Sequence, residues 1–244
     1  MKKPQSRHVE SIMRRLALAI TGLDLPVVEK IAEEQQDDAF QVLIATLLSA
    51  RTQDATTGAA SERLFKKAPT PSRMAALTVP EIAKLIYPVS FYRTKARHVR
   101  ETCRILLERF KGRVPGTMDE LLILPGVGRK TANLVLVLGF KSLRNICVDT
   151  HVHRISNRLG WVDTSTPEET ERALYDRLPV RWWPYINLYL VTWGQNICRP
   201  THPRCGDCAI CDRCPRVGVT RIGKSRNAGS GRLAGAAHRA PRNA

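Results

Sequence analysis

A lysine at the start of an apolar helix is the first group in this chain suited to covalent chemistry. In "LPGVGRKTANLVLVLGF" (124–140), Pro125, Gly126, Val127 and Gly128 read as a turn, and Arg129 and Lys130 open the helix that follows. Glycines permit positive φ and leave backbone amides uncovered. Gly126, Val127, Gly128 and Arg129 are therefore candidates to hold a phosphate at the helix N-terminus. The positive end of the helix dipole and the neighbouring Arg129 both favour Lys130 as a neutral, nucleophilic amine. An ordinary interhelix turn carrying a solvated or phosphate-contacting lysine is the competing reading. Further on, "VDTHVHR" sets Asp149 immediately before another helix. A carboxylate there can cap that helix, or orient the amine, take its proton and stabilise a sugar cation. The two roles are compatible.

A second group of residues suits a metal. Five of the seven cysteines fall between 198 and 214, in "CRPTHPRCGDCAICDRC". With no export signal expected, the clustered thiols point to a metal centre rather than to disulfides. Cys198, Cys205, Cys208 and Cys214 form one spaced set; Cys205, Cys208, Cys211 and Cys214, three residues apart, form a compact alternative. Thiolates hold iron–sulfur clusters or zinc. Cys103 and Cys147 lie in apolar surroundings and read as buried thiols.

The elements that must position these groups are helical. "DAFQVLIATLLSA" (38–50) has apolar residues at helical spacing, with Asp38 as its cap. Thr78/Glu81, Thr117/Glu120 and Thr166/Glu169 have the spacing of capping boxes, and Pro71 and Pro167 suit first helical positions. Segments 55–67, 95–110, 129–140, 150–159 and 184–196 also read as helices. "NICVD" (145–149) alone looks strand-like and is too short to make a sheet. The expectation is an all-α protein.

Composition narrows the partner. The 244 residues are 43% hydrophobic, enough for one large or two small cores, and the formal net charge of +17 favours a polyanion. The stretch from 217 to 244, rich in Gly, Ala, Asn and Ser, carries Arg221, Lys224, Arg226, Arg232, Arg239 and Arg242 and no acid. It reads as a disordered basic tail, and its removal leaves the body at about +11. No apolar run is long enough to cross a bilayer. "LALAITGL" (16–23) reads as part of an amphipathic helix with Ile12, Leu16, Ala19 and Ile20 on one face, so a cytoplasmic protein is expected.

Leu124–Asn133, "CVDTHVHRISNRLG" (147–160) and the Cys198-Cys205-Cys208-Cys214 spacing together resemble the bacterial endonuclease III family of helix-hairpin-helix DNA glycosylases, over about residues 38 to 215. The resemblance implies a bifunctional DNA glycosylase/AP lyase that excises oxidised pyrimidines from duplex DNA. Lys130 would be the catalytic lysine, Asp149 the essential aspartate, and the 125–128 hairpin the grip on a phosphate beside a flipped nucleotide. It implies a [4Fe–4S] cluster on Cys198, Cys205, Cys208 and Cys214, with Arg199, His202 and Arg204 in a basic loop against DNA. It also implies two helical domains. Residues 32–142 would form a six-helix domain carrying the hairpin, and 1–31 with 143–216 the cluster domain. DNA would lie across the cleft, with Lys130 on one wall and Asp149 on the other, and the enzyme would act as a monomer on damaged double-stranded DNA.

Three positions depart from the family pattern. Arg51 stands where glutamine is usual, in the segment that fills the gap left by the flipped base; arginine can pair bidentately with guanine, and Gln53 is an alternative for the same task. Phe91 occupies the place of an apolar wedge that is often leucine, and it suits stacking between bases. Leu122 replaces an acid before the hairpin. A monofunctional mismatch glycosylase and a non-enzymatic DNA-binding module are the alternatives. The first typically lacks a lysine at position 130, and the second needs neither Lys130 nor Asp149.

Overall fold

The computed structural model describes residues 6–35 and 38–225. Among them are twelve α-helices and no strand: α1 (Ser6–Ala19), α2 (Val27–Glu34), α3 (Ala39–Ser49), α4 (Asp54–Lys67), α5 (Pro71–Ala76), α6 (Val79–Ile86), α7 (Tyr92–Phe110), α8 (Met118–Leu122), α9 (Arg129–Gly139), α10 (Thr150–Arg158), α11 (Pro167–Tyr175) and α12 (Ile186–Asn196). Short 3₁₀ turns occupy Val180–Tyr185, Cys205–Asp207 and Cys211–Arg213. The all-α expectation holds, and the strand-like 145–149 stretch is irregular.

Several helices start where their caps dictate. Asp38 accepts from the amides of Phe40 and Gln41 at the head of α3. Thr78 with Glu81 and Thr166 with Glu169 form complete capping boxes at α6 and α11. Thr117 accepts from the amide of Glu120 at α8. Each such cap satisfies amides that the helix itself cannot, at about 1 kcal/mol apiece.

The chain divides into two compact units, Pro26–Asn145 and, discontinuously, Met1–Leu25 with Ile146–Ala244. The division falls at 26 and 146, where 32 and 143 were expected. Helix α2 packs on α3 and α4, which places residues 26–31 with the larger helical set. Of the eight helices in Pro26–Asn145, six have eight or more residues. At its centre α3 buries every residue from Phe40 to Leu48, and α9 does so from Thr131 to Leu138. The two pack closely because Gly139 lacks a side chain: a Cβ there would lie 2.8 Å from Ala39 Cα. Helix α7 lies against α3, α5 and α6, and turns Ala96, Val99, Cys103 and Leu106 inward.

In the other unit α1 contributes Ile12, Met13, Leu16 and Ile20 to a core with Trp161, Trp182 and Tyr189. Glu10 accepts from Trp182 Nε1 at 2.6 Å, Arg181 Nη2 at 2.6 Å and Arg14 Nε at 2.7 Å. Burial alone would raise its carboxyl, but these donors hold it below the usual range. Arg15 Nη1 reaches Asp212 Oδ1 at 2.7 Å, tying α1 to the cysteine-rich segment. The expected tail begins differently. The Val217 amide donates to Arg158 O and that of Gly223 to Pro203 O, so 217–225 follows the cysteine segment. Residues 226–244, the remainder of that tail, lie outside the described residues.

Candidate active site and metal centre

In the Pro26–Asn145 unit, α8 and α9 flank the Pro125–Gly128 turn. Gly126 has φ +80°, and a Cβ on it would stand 2.6 Å from His98 Nδ1, so both backbone and space require glycine. Gly128 is different. Its φ is −101° and a Cβ would meet nothing within 4 Å. Nothing among the described residues demands glycine there, and its effect is to leave the N-terminus of α9 uncovered and without a side-chain cap. Val127 is buried, whereas Gly126, Gly128, Arg129 and Lys130 are exposed. Lys130, the second residue of α9, is therefore exposed beside a helix N-terminus that no side chain caps.

Arg51 and Phe91 share an unusual backbone. Both are exposed and both are left-handed, with φ 55° and 56°. For residues other than glycine this conformation is costly and gathers at functional positions. Gln53 is exposed at the start of α4 and makes no side-chain cap. Leu122 is also exposed. The structure brings the Arg51 and Phe91 loops together through a residue the sequence reading passed over, Lys95. Its side chain is buried, and Nζ donates to Leu48 O at 2.7 Å, Ala50 O at 2.6 Å and Thr52 Oγ1 at 3.1 Å. Burial pushes this lysine down to about 8. Its position four residues before Val99, on the inward stripe of α7, was the available signal.

In the other unit Asp149 caps α10: Oδ1 accepts from His151 N at 2.8 Å and Val152 N at 2.9 Å. Both amides converge on one oxygen, leaving Oδ2 outside the cap. One and two turns on, α10 presents Arg154 and Arg158 to the cysteine segment. Arg154 Nη2 donates to Cys198 O at 2.8 Å. Arg158 Nη1 donates to Cys198 Sγ at 3.3 Å and to Arg199 O at 2.7 Å. Their i, i+4 spacing in "HRISNR" was the sequence signal that went unread.

Cys198, Cys205, Cys208, Cys211 and Cys214 line one cavity with Ile155, Leu159, Trp193 and Ile197. Burial raises the thiols of Cys205, Cys208 and Cys214, that of Cys208 to about 12. Among the described residues no three His, Cys, Asp or Glu side chains are grouped so as to hold a metal ion. Five thiols spread over one apolar wall, with the Arg158 guanidinium against Cys198, suit an anionic multi-atom cluster better than a single zinc. Of the basic loop, Arg199 and His202 are exposed. Arg204, expected to face DNA, is instead buried and donates to Asn196 O at 3.2 Å. It belongs to the scaffold of the cavity. Burial also raises Cys103 to about 12, in keeping with an inert thiol.

The chain matches the HhH-GPD superfamily of base excision DNA repair proteins over residues 44–179. It is 50% identical over 180 residues to Endonuclease III of Thermotoga maritima, covering 74% of this chain and 84% of that protein. To Endonuclease III-like protein 1 of Gallus gallus it is 44% identical, over 72% of this chain and 63% of that longer one. Among solved structures it superposes on a trapped Endonuclease III–DNA covalent intermediate with a TM-score of 0.69 at 36% identity, over 73% of this chain and 84% of that chain. A thermostable thymine-DNA glycosylase, at 24% identity and a TM-score of 0.73 over 85% of this chain and 95% of that one, shares the fold. No described helix is long and apolar enough to cross a membrane. The chain belongs to the HhH-GPD superfamily and, within it, to the endonuclease III family.

Proposed function

We propose that this chain is a bifunctional base excision repair enzyme, a DNA glycosylase and AP lyase acting on oxidised pyrimidines in duplex DNA. The observation that carries the reading is Lys130, exposed on the first turn of α9, two residues after Gly128, which gives that helix no side-chain cap. The uncapped N-terminus of α9 behind Gly128 holds a phosphate of the damaged strand. The lesion is rotated out of the stack, where C1′ becomes accessible. Lys130 Nζ attacks C1′, the base departs, and the sugar opens as a Schiff base on the lysine. Loss of a C2′ proton then expels the 3′ phosphate, and water releases the lysine. Asp149 offers Oδ2 to the developing positive charge and to the proton lost by the amine, while Oδ1 stays in the cap.

Cys198, Cys205, Cys208 and Cys214 would hold a [4Fe–4S] cluster, which ties the ends of the 199–204 loop and supplies no step of this chemistry. Arg199 and His202 then face the phosphate backbone. The test is borohydride trapping on an abasic-site duplex. Wild type should form a covalent adduct and cut the strand. Lys130→Ala should do neither yet bind duplex nearly as well, because affinity comes mainly from phosphate contacts. Trapping at the wild-type level by Lys130→Ala would remove the assignment.

A further inference from the structure

Arg51 and Phe91 stand on different loops, and each holds a backbone conformation that its residue type disfavours. Such conformations persist only where the surroundings over-determine them. One cluster of groups does so for both. Thr52 Oγ1 accepts from the backbone amide of Ser90 at 3.2 Å and from Lys95 Nζ at 3.1 Å, and lies 3.4 Å from Ala50 O as donor. A hydroxyl has two acceptor sites and one proton, so this one is fully used. The Lys95 ammonium is equally saturated, with its three donors on Leu48 O, Ala50 O and Thr52 Oγ1. The Lys95 amide also donates to Phe91 O at 3.0 Å, closing the first turn of α7 behind the phenylalanine.

We infer that Lys95 and Thr52 are positioning residues that lock Arg51 and Phe91 into one rigid lesion-reading unit. The inference rests on the proposed DNA glycosylase function and on the reading, implied by the family resemblance, that those two side chains enter the duplex. Neither Lys95 nor Thr52 touches substrate. Their contribution is that the arginine and the wedge arrive together, already ordered, so that inserting them into the duplex carries no cost for ordering two separate loops. Thr52 is the better probe, because Thr52→Val keeps the shape and removes the hydroxyl, and Thr52→Ser restores it.

The experiment uses the full chain with its cluster and two duplexes, one holding a tetrahydrofuran abasic analogue and one undamaged. The quantity read is the ratio of their dissociation constants, with 2-aminopurine opposite the analogue reporting insertion by its fluorescence. Thr52→Val should lower the ratio by about five- to tenfold, the effect of losing the hydrogen bonds of one hydroxyl. Thr52→Ser should restore both the ratio and the 2-aminopurine signal. Lys95→Met should match Thr52→Val if it folds. Affinity for undamaged duplex, set by phosphate contacts, should change by less than about twofold. A wild-type ratio in Thr52→Val, with Arg51→Ala and Phe91→Ala both impaired, overturns the positioning role alone. Wild-type ratios in Arg51→Ala and Phe91→Ala overturn the reading on which it rests, and the inference with it. Equal loss in Thr52→Val and Thr52→Ser also counts against it, since the hydroxyl would then not be the cause.

Discussion

Asp149 carries two proposed duties on different oxygens, and this makes them separable. Its Oδ1 accepts from His151 N and Val152 N, at 2.8 and 2.9 Å. Asp149→Ala removes that acceptor and should cost about 1–2 kcal/mol, the usual range for an N-cap. Asp149→Asn keeps a carbonyl oxygen in the same place. It forfeits only the favourable meeting of a carboxylate with the positive helix end, roughly 0.3–1 kcal/mol. All four tryptophans (Trp161, Trp182, Trp183 and Trp193) belong to the unit that contains Asp149, so tryptophan fluorescence in urea reads the unfolding of that unit. Stability should therefore fall in the order wild type, Asn, Ala. Strand cleavage on an abasic duplex should not follow that order. With the second oxygen replaced by an amide nitrogen, Asp149→Asn should turn over about a hundredfold or more slowly at a temperature where it is fully folded. If Asp149→Asn cleaves at the wild-type rate while Asp149→Ala loses activity only in step with its folded fraction, the residue is a cap and nothing more.

Three further outcomes follow from the structure. Gly139→Ala should destabilise by about 1–2 kcal/mol, because the new methyl meets the Ala39 backbone and overpacking outweighs the helix-propensity gain; circular dichroism in urea checks this, and a stabilised variant refutes it. Purified without oxygen, the protein should hold about four irons; Cys211→Ser should keep them and Cys198→Ser should lose them, whereas the opposite pattern would establish the compact Cys205–Cys214 set. Lys95 is held near 8 in the folded chain against an ordinary 10.5, so between these values the unfolded state binds the proton more tightly. The stability of wild type relative to Lys95→Met should accordingly rise with pH across that window, and a flat difference in paired urea titrations speaks against a depressed lysine.

What could be read from the sequence was local. Asp38, Thr78, Thr166 and Asp149 sit beside the helices they cap, and their partners are two or three residues away. The hairpin was legible for the same reason, and so was the gathering of five cysteines at one cavity, because they lie within seventeen positions of one another. What escaped depends on distant chain. Helix α2 is short, lacks a side-chain cap, and derives its place from packing on α3 and α4. Arg204 looked like a surface charge until Asn196 O and the cysteine cavity enclosed it. Lys95 binds carbonyls more than forty positions away. The discontinuous unit placed 217–225 against the cysteine segment through backbone amides, which no side-chain pattern announces.

That discontinuity has a consequence for how the molecule is made. Helix α1 is translated early, but its partners Trp182 and Arg181 follow 172 and 171 positions after Glu10. At about 5–20 residues per second, the ribosome needs on the order of ten seconds or more to deliver them. In the last part of that interval, once Asn145 has been made, the Pro26–Asn145 unit has its whole sequence and is free to fold, while Ile12, Met13, Leu16 and Ile20 still have their apolar stripe uncovered. The cysteine segment emerges later still. Nascent chains of this protein therefore pass through a stage with one half able to fold and one sticky, unpaired helix, and the five clustered cysteines emerge only after all twelve described α-helices have been made.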